Sequence, residues 1–418
     1  MNKIFTSFAL AASLVLVQLP TAFEAQSADA PKAEKQKRKV YLPGQSVGKK
    51  VAKAFEAYSA DDIEGALVIL NDIDASKDFD KVFVSFFTGQ MYAQKGDALK
   101  AIEKLDAAIK PDMLSEADQG NGLKLLADLQ MQEKQFKSAI TNYNTWMDFT
   151  GKSDGNVWVK VAQAYAMLEQ FDKVIAPADK AIAAYGDKHN QNPYLIKLNA
   201  YYERKMFKQC VSVLETAVQV FPETKQFWTQ LASFYAMVEN YPKSLSTLQL
   251  AYKQGYLEKE SEIKMLANLY AQSQLPHKSA TLLEKHISSG LVKRDDKNLF
   301  SLANAWHAAM HIDKAAKYYG ELAKMTNEAK HYSKQGSLLA QDEQFKKAVV
   351  ALNKAIDLGV ENKGRLYMSI AESHFYLGQY KQAYAAIQQA MKDPKTRKGA
   401  KGWVGYIKDT AARKGKSI

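Results

Sequence analysis

From residue 47 to residue 391 the apolar positions recur at helical spacing, and no segment alternates as a strand would. The clearest stretch reads Tyr367, Ile370, Ala371, His374, Gly378, Tyr380, Ala383, Ile387, Ala390 and Pro394. Large, large and small residues mark one helix, a turn follows, and aromatic and small residues mark a second. The small residue of the second helix recurs as Ala66, Ala101, Ala139, Val174, Cys210, Ser244, Ser279, Ala315, Ala348 and Ala383, at intervals of 33 to 38 residues. The chain therefore consists of ten copies of one helix pair, with no copy missing.

A helix pair at this period is the tetratricopeptide pattern. It predicts an all-α fold, a right-handed superhelical solenoid of about ten helix pairs, closed by a capping helix that carries Trp403, Val404, Tyr406 and Ile407. The first copy is atypical, with Lys53 and Ala57 where large residues are usual, and is expected to cap the other end. Turns fall at Gly96, Glu169-Gln170 and Glu239-Asn240. Pro111, Pro222 and Pro394 follow second helices, and Pro193 and Pro276 stand near helix starts. Pro177 lies inside a second helix, which predicts a kink or a late start. Aromatic residues such as Trp158, Tyr165 and Phe171, Tyr194, Tyr201 and Phe207, and Trp228, Tyr235 and Tyr241 recur in register, as core positions do.

The N-terminus changes the picture. Lys3 precedes an apolar stretch from Ile4 to Leu19, and Ala25-Gln26-Ser27 supplies a small-x-small cleavage site. Residues 1–27 are expected to be a secretory signal peptide, which puts the mature chain in the periplasm. Residues 28–46 read as a basic flexible linker, 47–394 as the solenoid, and 395–418 as the capping helix with a basic tail. The net charge of +12 is concentrated at the ends. Residues 28–44 carry five Lys/Arg against two acids, and residues 392–418 carry nine against two. Such ends suit weak contact with a membrane surface or an acidic protein, and no motif points to nucleic acid.

Catalytic, cofactor and metal signals are poor, and none is assigned. Cys210 is the one cysteine and sits in a small core slot. His307 and His311 have ligand spacing but no third partner, and Ala308 stands where a metalloprotease has Glu. Gly151-Lys152-Ser153 imitates the end of a phosphate loop, but Trp146 occupies the leading glycine position. Asp61-Asp62 and Asp295-Asp296 stand near helix starts, where the dipole favours acids. The chain reads as a non-enzymatic binder of protein or peptide partners.

Its expected surface is the groove lined by first helices. Position nine of each is Gln90, Asp128, Gln163, Asn199, Ser233, Asn268, Asn304, Ser337 and Glu372. A polar ladder rich in amides suits the backbone of an extended peptide. Tyr202, Phe300, Met368 and Phe375 are expected apolar anchors. Lys264 and Asn268, with Lys330 and Lys334, resemble the carboxylate clamp of chaperone-binding tetratricopeptide domains. Ser301 and Lys334 depart from it, where the clamp has Asn and Arg.

Residues 246–262 (Ser-Thr-Leu-Gln-Leu-Ala-Tyr-Lys-Gln-Gly-Tyr-Leu-Glu-Lys-Glu-Ser-Glu), Leu266-Ala267-Asn268-Leu269-Tyr270, Leu283-Glu284-Lys285 and Gly290-Leu291-Val292 carry a further likeness. Lys297-Asn298-Leu299, Ala305-Trp306 and Arg397-Lys398-Gly399-Ala400 before Trp403 add to it. These segments resemble the periplasmic tetratricopeptide proteins associated with TonB energy-transduction systems of Gram-negative bacteria. The resemblance implies a scaffold beside TonB, ExbB and ExbD that supports nutrient uptake, iron included, through outer-membrane receptors. An adaptor for peptidoglycan or outer-membrane assembly would have the same fold.

Overall fold

The computed structural model describes residues 38, 39, 41–361 and 363–418; the expected signal peptide and most of the basic linker lie outside them. The described residues form twenty-one α-helices, one short 3-10 helix and no strand. They fall into two units, one of residues up to 95 with 103–122, the other of 96–102 with 123–418. The first contains α1 (Gln45–Ser59), α2 (Ile63–Asn71) and α3 (Asp78–Lys95). α4 (Ala98–Ile109) and α5 (Glu116–Gln132) are divided between the units. The second continues with α6 (Phe136–Thr150), α7 (Gly155–Met167), α8 (Phe171–Tyr185), α9 (Asn192–Glu203), α10 (Phe207–Val220), α11 (Lys225–Met237) and α12 (Tyr241–Lys253). It ends with α13 (Glu260–Gln272), α14 (Pro276–Ser288), α15 (Asp296–Ala308), α16 (Ile312–Thr326), α17 (Ala329–Gln341), α18 (Phe345–Asp357), α19 (Lys363–Tyr376), α20 (Tyr380–Ala390) and α21 (Arg397–Arg413).

The architecture is a tetratricopeptide solenoid, in which odd-numbered helices up to α19 are first helices and even-numbered ones their partners. All ten small residues that set the register are buried, none more than 3% exposed. They are small because a neighbouring helix packs directly over them. Ser244 shows what a polar atom requires in that slot: its hydroxyl donates to the carbonyl of Ala232 at 2.7 Å. Cys210 holds the same slot, its thiol facing the Leu198 carbonyl at 3.8 Å. Burial pushes that thiol up to about 11.

The turn inside each pair is equally regular. Asp61, Gly96, Lys134, Glu169, Lys205, Glu239, Gln274, Met310, Glu343 and Gly378 all adopt positive φ. Each lies five residues before its small slot. The next residue's N–H then returns to a carbonyl of the last helical turn, as from Gln170 to Tyr165, Asn240 to Tyr235 and His311 to Trp306. This is the Schellman closure, which satisfies carbonyls that the helix end leaves free. A lysine of the second helix often covers the aromatic residue whose carbonyl is used. Lys243 lies 5.2 Å from the Tyr235 ring centroid, Lys278 5.8 Å from Tyr270, and Lys314 3.9 Å from Trp306.

Two local expectations meet the structure differently. α8 runs unbroken from Phe171 with Pro177 buried inside it, so the helix does not start late. Tyr241 is well exposed, unlike its counterparts Phe171 and Phe207. In the first unit, Arg38 donates to the Leu114 carbonyl at 2.7 Å and pairs with Asp112, and the Tyr41 ring stacks on Phe79. The Gly44 N–H donates to the buried Asp80 at 2.7 Å.

Candidate peptide-binding groove

On α13, Glu260, Lys264, Asn268 and Gln272 are spaced four apart and form one stripe, while Ile263, Leu266, Ala267 and Tyr270 are buried on other faces. The stripe borders a cavity of about 760 Å³ that Met265 and Tyr241 also line. A second cavity of about 390 Å³ lies toward α15, where Phe300, Asn304 and Ala308 form the equivalent stripe. Asn268 lines both, so the two cavities adjoin at its amide. This is the place where sequence-expected groove residues from successive repeats come together: Lys264, Asn268, Phe300 and Asn304.

The charged edge is internally braced. Glu260 accepts a hydrogen bond from the Asn298 amide at 2.9 Å and lies 3.5 Å from the Lys264 ammonium. The Asn298 hydrogen bond first, and the Lys264 charge after it, hold the Glu260 carboxyl below its usual range. Asn298 is buried, and it also donates to the Lys293 carbonyl at 2.9 Å. Sequence reading missed this residue as a positioning group. The signal was Asp295 three residues earlier, whose carboxylate caps α15 by accepting the Asn298 N–H at 2.8 Å.

The ladder of position-nine residues is not uniform. Asp128 is spent within the protein: it accepts from Tyr143 at 2.5 Å and from Lys160 at 2.6 Å, with Lys124 at 3.4 Å. Burial pushes its carboxyl up, but those two hydrogen bonds and the two lysine charges prevail and lower it. Asn304 accepts from the Tyr319 hydroxyl. Gln90 and Ser233 are half-buried. Gln163, Asn199, Asn268, Ser337 and Glu372 are exposed.

The expected anchors divide in the same way. Phe300 is 45% exposed and its ring rests on Tyr319 and His331, while Tyr202 is half exposed against Phe207 and Phe234. Phe375 is not free in the groove. Its ring lies 5.6 Å from that of Trp403 and 5.0 Å from that of Tyr406, both on α21, because the terminal helix covers the last pair. Met368 also packs into that terminal cluster. Lys330 pairs with Glu328 at 2.5 Å, Lys334 is half-buried, and neither lines the two cavities that adjoin at Asn268.

His307 is held below its usual range by burial and by the nearby Lys334 charge, and His311 stands at the N-terminal boundary of α16 with no side-chain hydrogen bond to the helix. Among the described residues, no group of three metal-ligating side chains occurs and no helix is long and apolar enough to cross a membrane.

No family model matches the chain, and no curated protein sequence matches it significantly. Solved structures do. The chain is similar to the C-terminal part of a TPR repeat-containing protein from Cytophaga hutchinsonii, with 15% identity, a TM-score of 0.36, and coverage of 58% of this chain and 98% of the other. It is similar to YrrB, described as a TPR protein with an unusual peptide-binding site, at 17% identity and a TM-score of 0.35, covering 45% of this chain and 95% of that one. It is also similar to a chain of the Naa15/Naa10 assembly bound to HypK, at 13% identity and a TM-score of 0.46, covering 88% of this chain and 65% of that one.

Proposed function

We propose that this protein is a non-enzymatic scaffold that holds an extended peptide segment of a protein partner against its first helices. The observation that carries this reading is the junction at Asn268. An exposed amide there joins two cavities, with Lys264 on one side and the half-exposed Phe300 on the other. An amide both donates to and accepts from a peptide backbone, and an aromatic surface seats one apolar side chain.

The partner class follows from two sequence features, the export signal at residues 1–27 and the resemblance to TonB-associated tetratricopeptide proteins. Both support a periplasmic protein that serves TonB-dependent outer-membrane transport, with TonB, ExbB or ExbD as the partner. The test is in-cell photocrosslinking from Asn268 and, separately, from the exposed Lys408 on α21, read by mass spectrometry. Capture of a TonB-system protein at Asn268, lost with Phe300→Ala, is the expected result. Capture of peptidoglycan or outer-membrane assembly proteins would transfer the scaffold to that machinery. Capture at Lys408 alone would move the working surface to the end of the solenoid.

A further inference from the structure

On the second-helix side lies a cavity of different chemistry. It measures about 840 Å³ and sits between α16 and α18, with α17 as its floor. Lys317 and Lys324 on α16 and Lys347 and Lys354 on α18 edge it, with Lys346 beside them. Both lysine pairs are spaced seven residues apart, which is two helical turns and roughly 10 Å along each axis. Each pair therefore points from one helix face, and the two faces meet across the cavity. Leu339 on α17 lies between the rims, Ala316 belongs to α16, and Val350 and Ala351 lie on α18 between Lys347 and Lys354; Val350 is 71% exposed and the other three are buried. Asp313 is the one carboxylate in the lining. All five lysines are exposed, and no carboxylate pairs with any of them among the described residues.

The same groove exists elsewhere without these features. In the copy formed by α8, α9 and α10 it measures about 260 Å³. Matched from the small slots Cys210 and Ala348, Gln209 replaces Lys347, Ser212 replaces Val350, Thr216 replaces Lys354, and Tyr194 corresponds to Tyr332. The lysine there, Lys197, is already paired with Asp179 at 2.6 Å. Repeat stacking thus makes the groove. The α16–α18 copy alone of these two is widened, rimmed with lysines that no carboxylate pairs among the described residues, and given one exposed apolar side chain, Val350, beside the buried Leu339 and Ala351.

We infer that this groove is a second docking site, which takes an acidic amphipathic segment of a protein partner. Its apolar side chains would rest on Val350, Ala351 and Leu339, and its carboxylates would face the lysine rims. Charge complementarity selects this occupant. The chain's own residues 28–39 carry five Lys/Arg against two acids and would be repelled. A groove with Leu339 and Ala351 recessed between two cationic rims, and Val350 exposed at its edge, fits a narrow rod with acidic flanks. A flat anionic surface would reach the rims but leave the recessed Leu339 and Ala351 uncovered. Lysines rather than arginines at the rims suit carboxylates approached without a fixed fork.

The probe is a fluorescent peptide with leucines at i, i+4 and i+7 and glutamates flanking them, titrated onto the full chain by anisotropy. Saturable binding is expected, weakened about tenfold or more by Lys347→Glu/Lys354→Glu and also by Val350→Asp. Asn268→Ala/Phe300→Ala should leave it unchanged, which separates this site from the first-helix groove. Lys347, Lys354 and Val350 are exposed, so their variants should keep the helical circular dichroism of the parent. Equal binding of a scrambled peptide of the same composition, insensitive to Val350→Asp, would reduce the site to bulk charge and overturn the inference. So would lysine-dependent binding to phosphatidylglycerol vesicles with no binding of the peptide.

Discussion

The positive-φ residue in every intra-repeat turn offers a direct test of how the fold is made. In eight of the ten copies it is not glycine, and its φ lies between 55° and 61°. An ordinary residue there sets its Cβ close to the carbonyl oxygen, at about 1–2 kcal/mol. Glycine removes that cost but gives the unfolded chain more freedom, worth roughly 0.5–1 kcal/mol. Glu169→Gly should therefore stabilise the protein, by up to about 1.5 kcal/mol. The site is clean: the Glu169 side chain is exposed and makes no hydrogen bond or ion pair among the described residues. The control is Gln163→Gly, also exposed but in the interior of α7, where glycine should cost about 0.5–1 kcal/mol. Urea titration followed by circular dichroism reads both. The midpoints should move in opposite directions at constant slope. If Glu169→Gly loses as much as Gln163→Gly, the turn stores no strain and the reasoning fails.

Further tests concern the core and the charged networks. A Cβ on Gly336 would lie 2.6 Å from Leu352 Cγ, and Leu352 is fully buried, so Gly336→Ala should cost about 1–3 kcal/mol in the same titration. The Cys210 thiol, buried and pushed up to about 11, should resist a disulfide reagent in the native state and react at once in urea. Its folded form keeps the proton where the unfolded thiol has lost it, so its contribution is full below the unfolded pKa and falls as pH rises from there toward about 11. Asp128→Asn should cost about 1–2 kcal/mol at neutral pH. The wild-type carboxyl is depressed by Lys160 and Tyr143 against its own burial, so its contribution is present above the unfolded pKa and lost as pH falls through the folded one. The gap between the two proteins should close in acid, and an unchanged gap there would deny the network its role.

The register was legible because it is written in residue size. A slot that admits only a small side chain leaves Ala, Ser, Cys or Val at each of the ten positions, whatever surrounds them. The turns were legible in place but not in conformation. Schellman closure uses backbone N–H and C=O groups, so Lys134, Gln274 or Met310 serves it without a distinctive side chain. Position nine was legible as a polar ladder, yet which rungs are free was not. Asn304 is taken by Tyr319 and Asp128 by Tyr143, each fifteen residues ahead on the partner helix, and that contact depends on how the two helices dock. Phe375 reads as a groove residue in the sequence because the helix beyond the last repeat has no periodic counterpart to show what it covers.

The same contrast explains where function is to be sought in a chain of this kind. Repeat stacking commits the small slots and the buried faces, and these positions vary little in character from copy to copy; the turn residues it commits in conformation alone. What stacking leaves uncommitted are the exposed stripes of first and second helices. A difference between equivalent uncommitted positions cannot be attributed to the fold, because the fold tolerates both residues. Gln209 against Lys347, Ser212 against Val350 and Thr216 against Lys354 are three such differences in one groove, and together they give one helix stripe two lysines with an exposed valine between them. A solvated face would gain lysines without also gaining an exposed valine between them. That conjunction makes the groove at α16–α18 a surface shaped for contact.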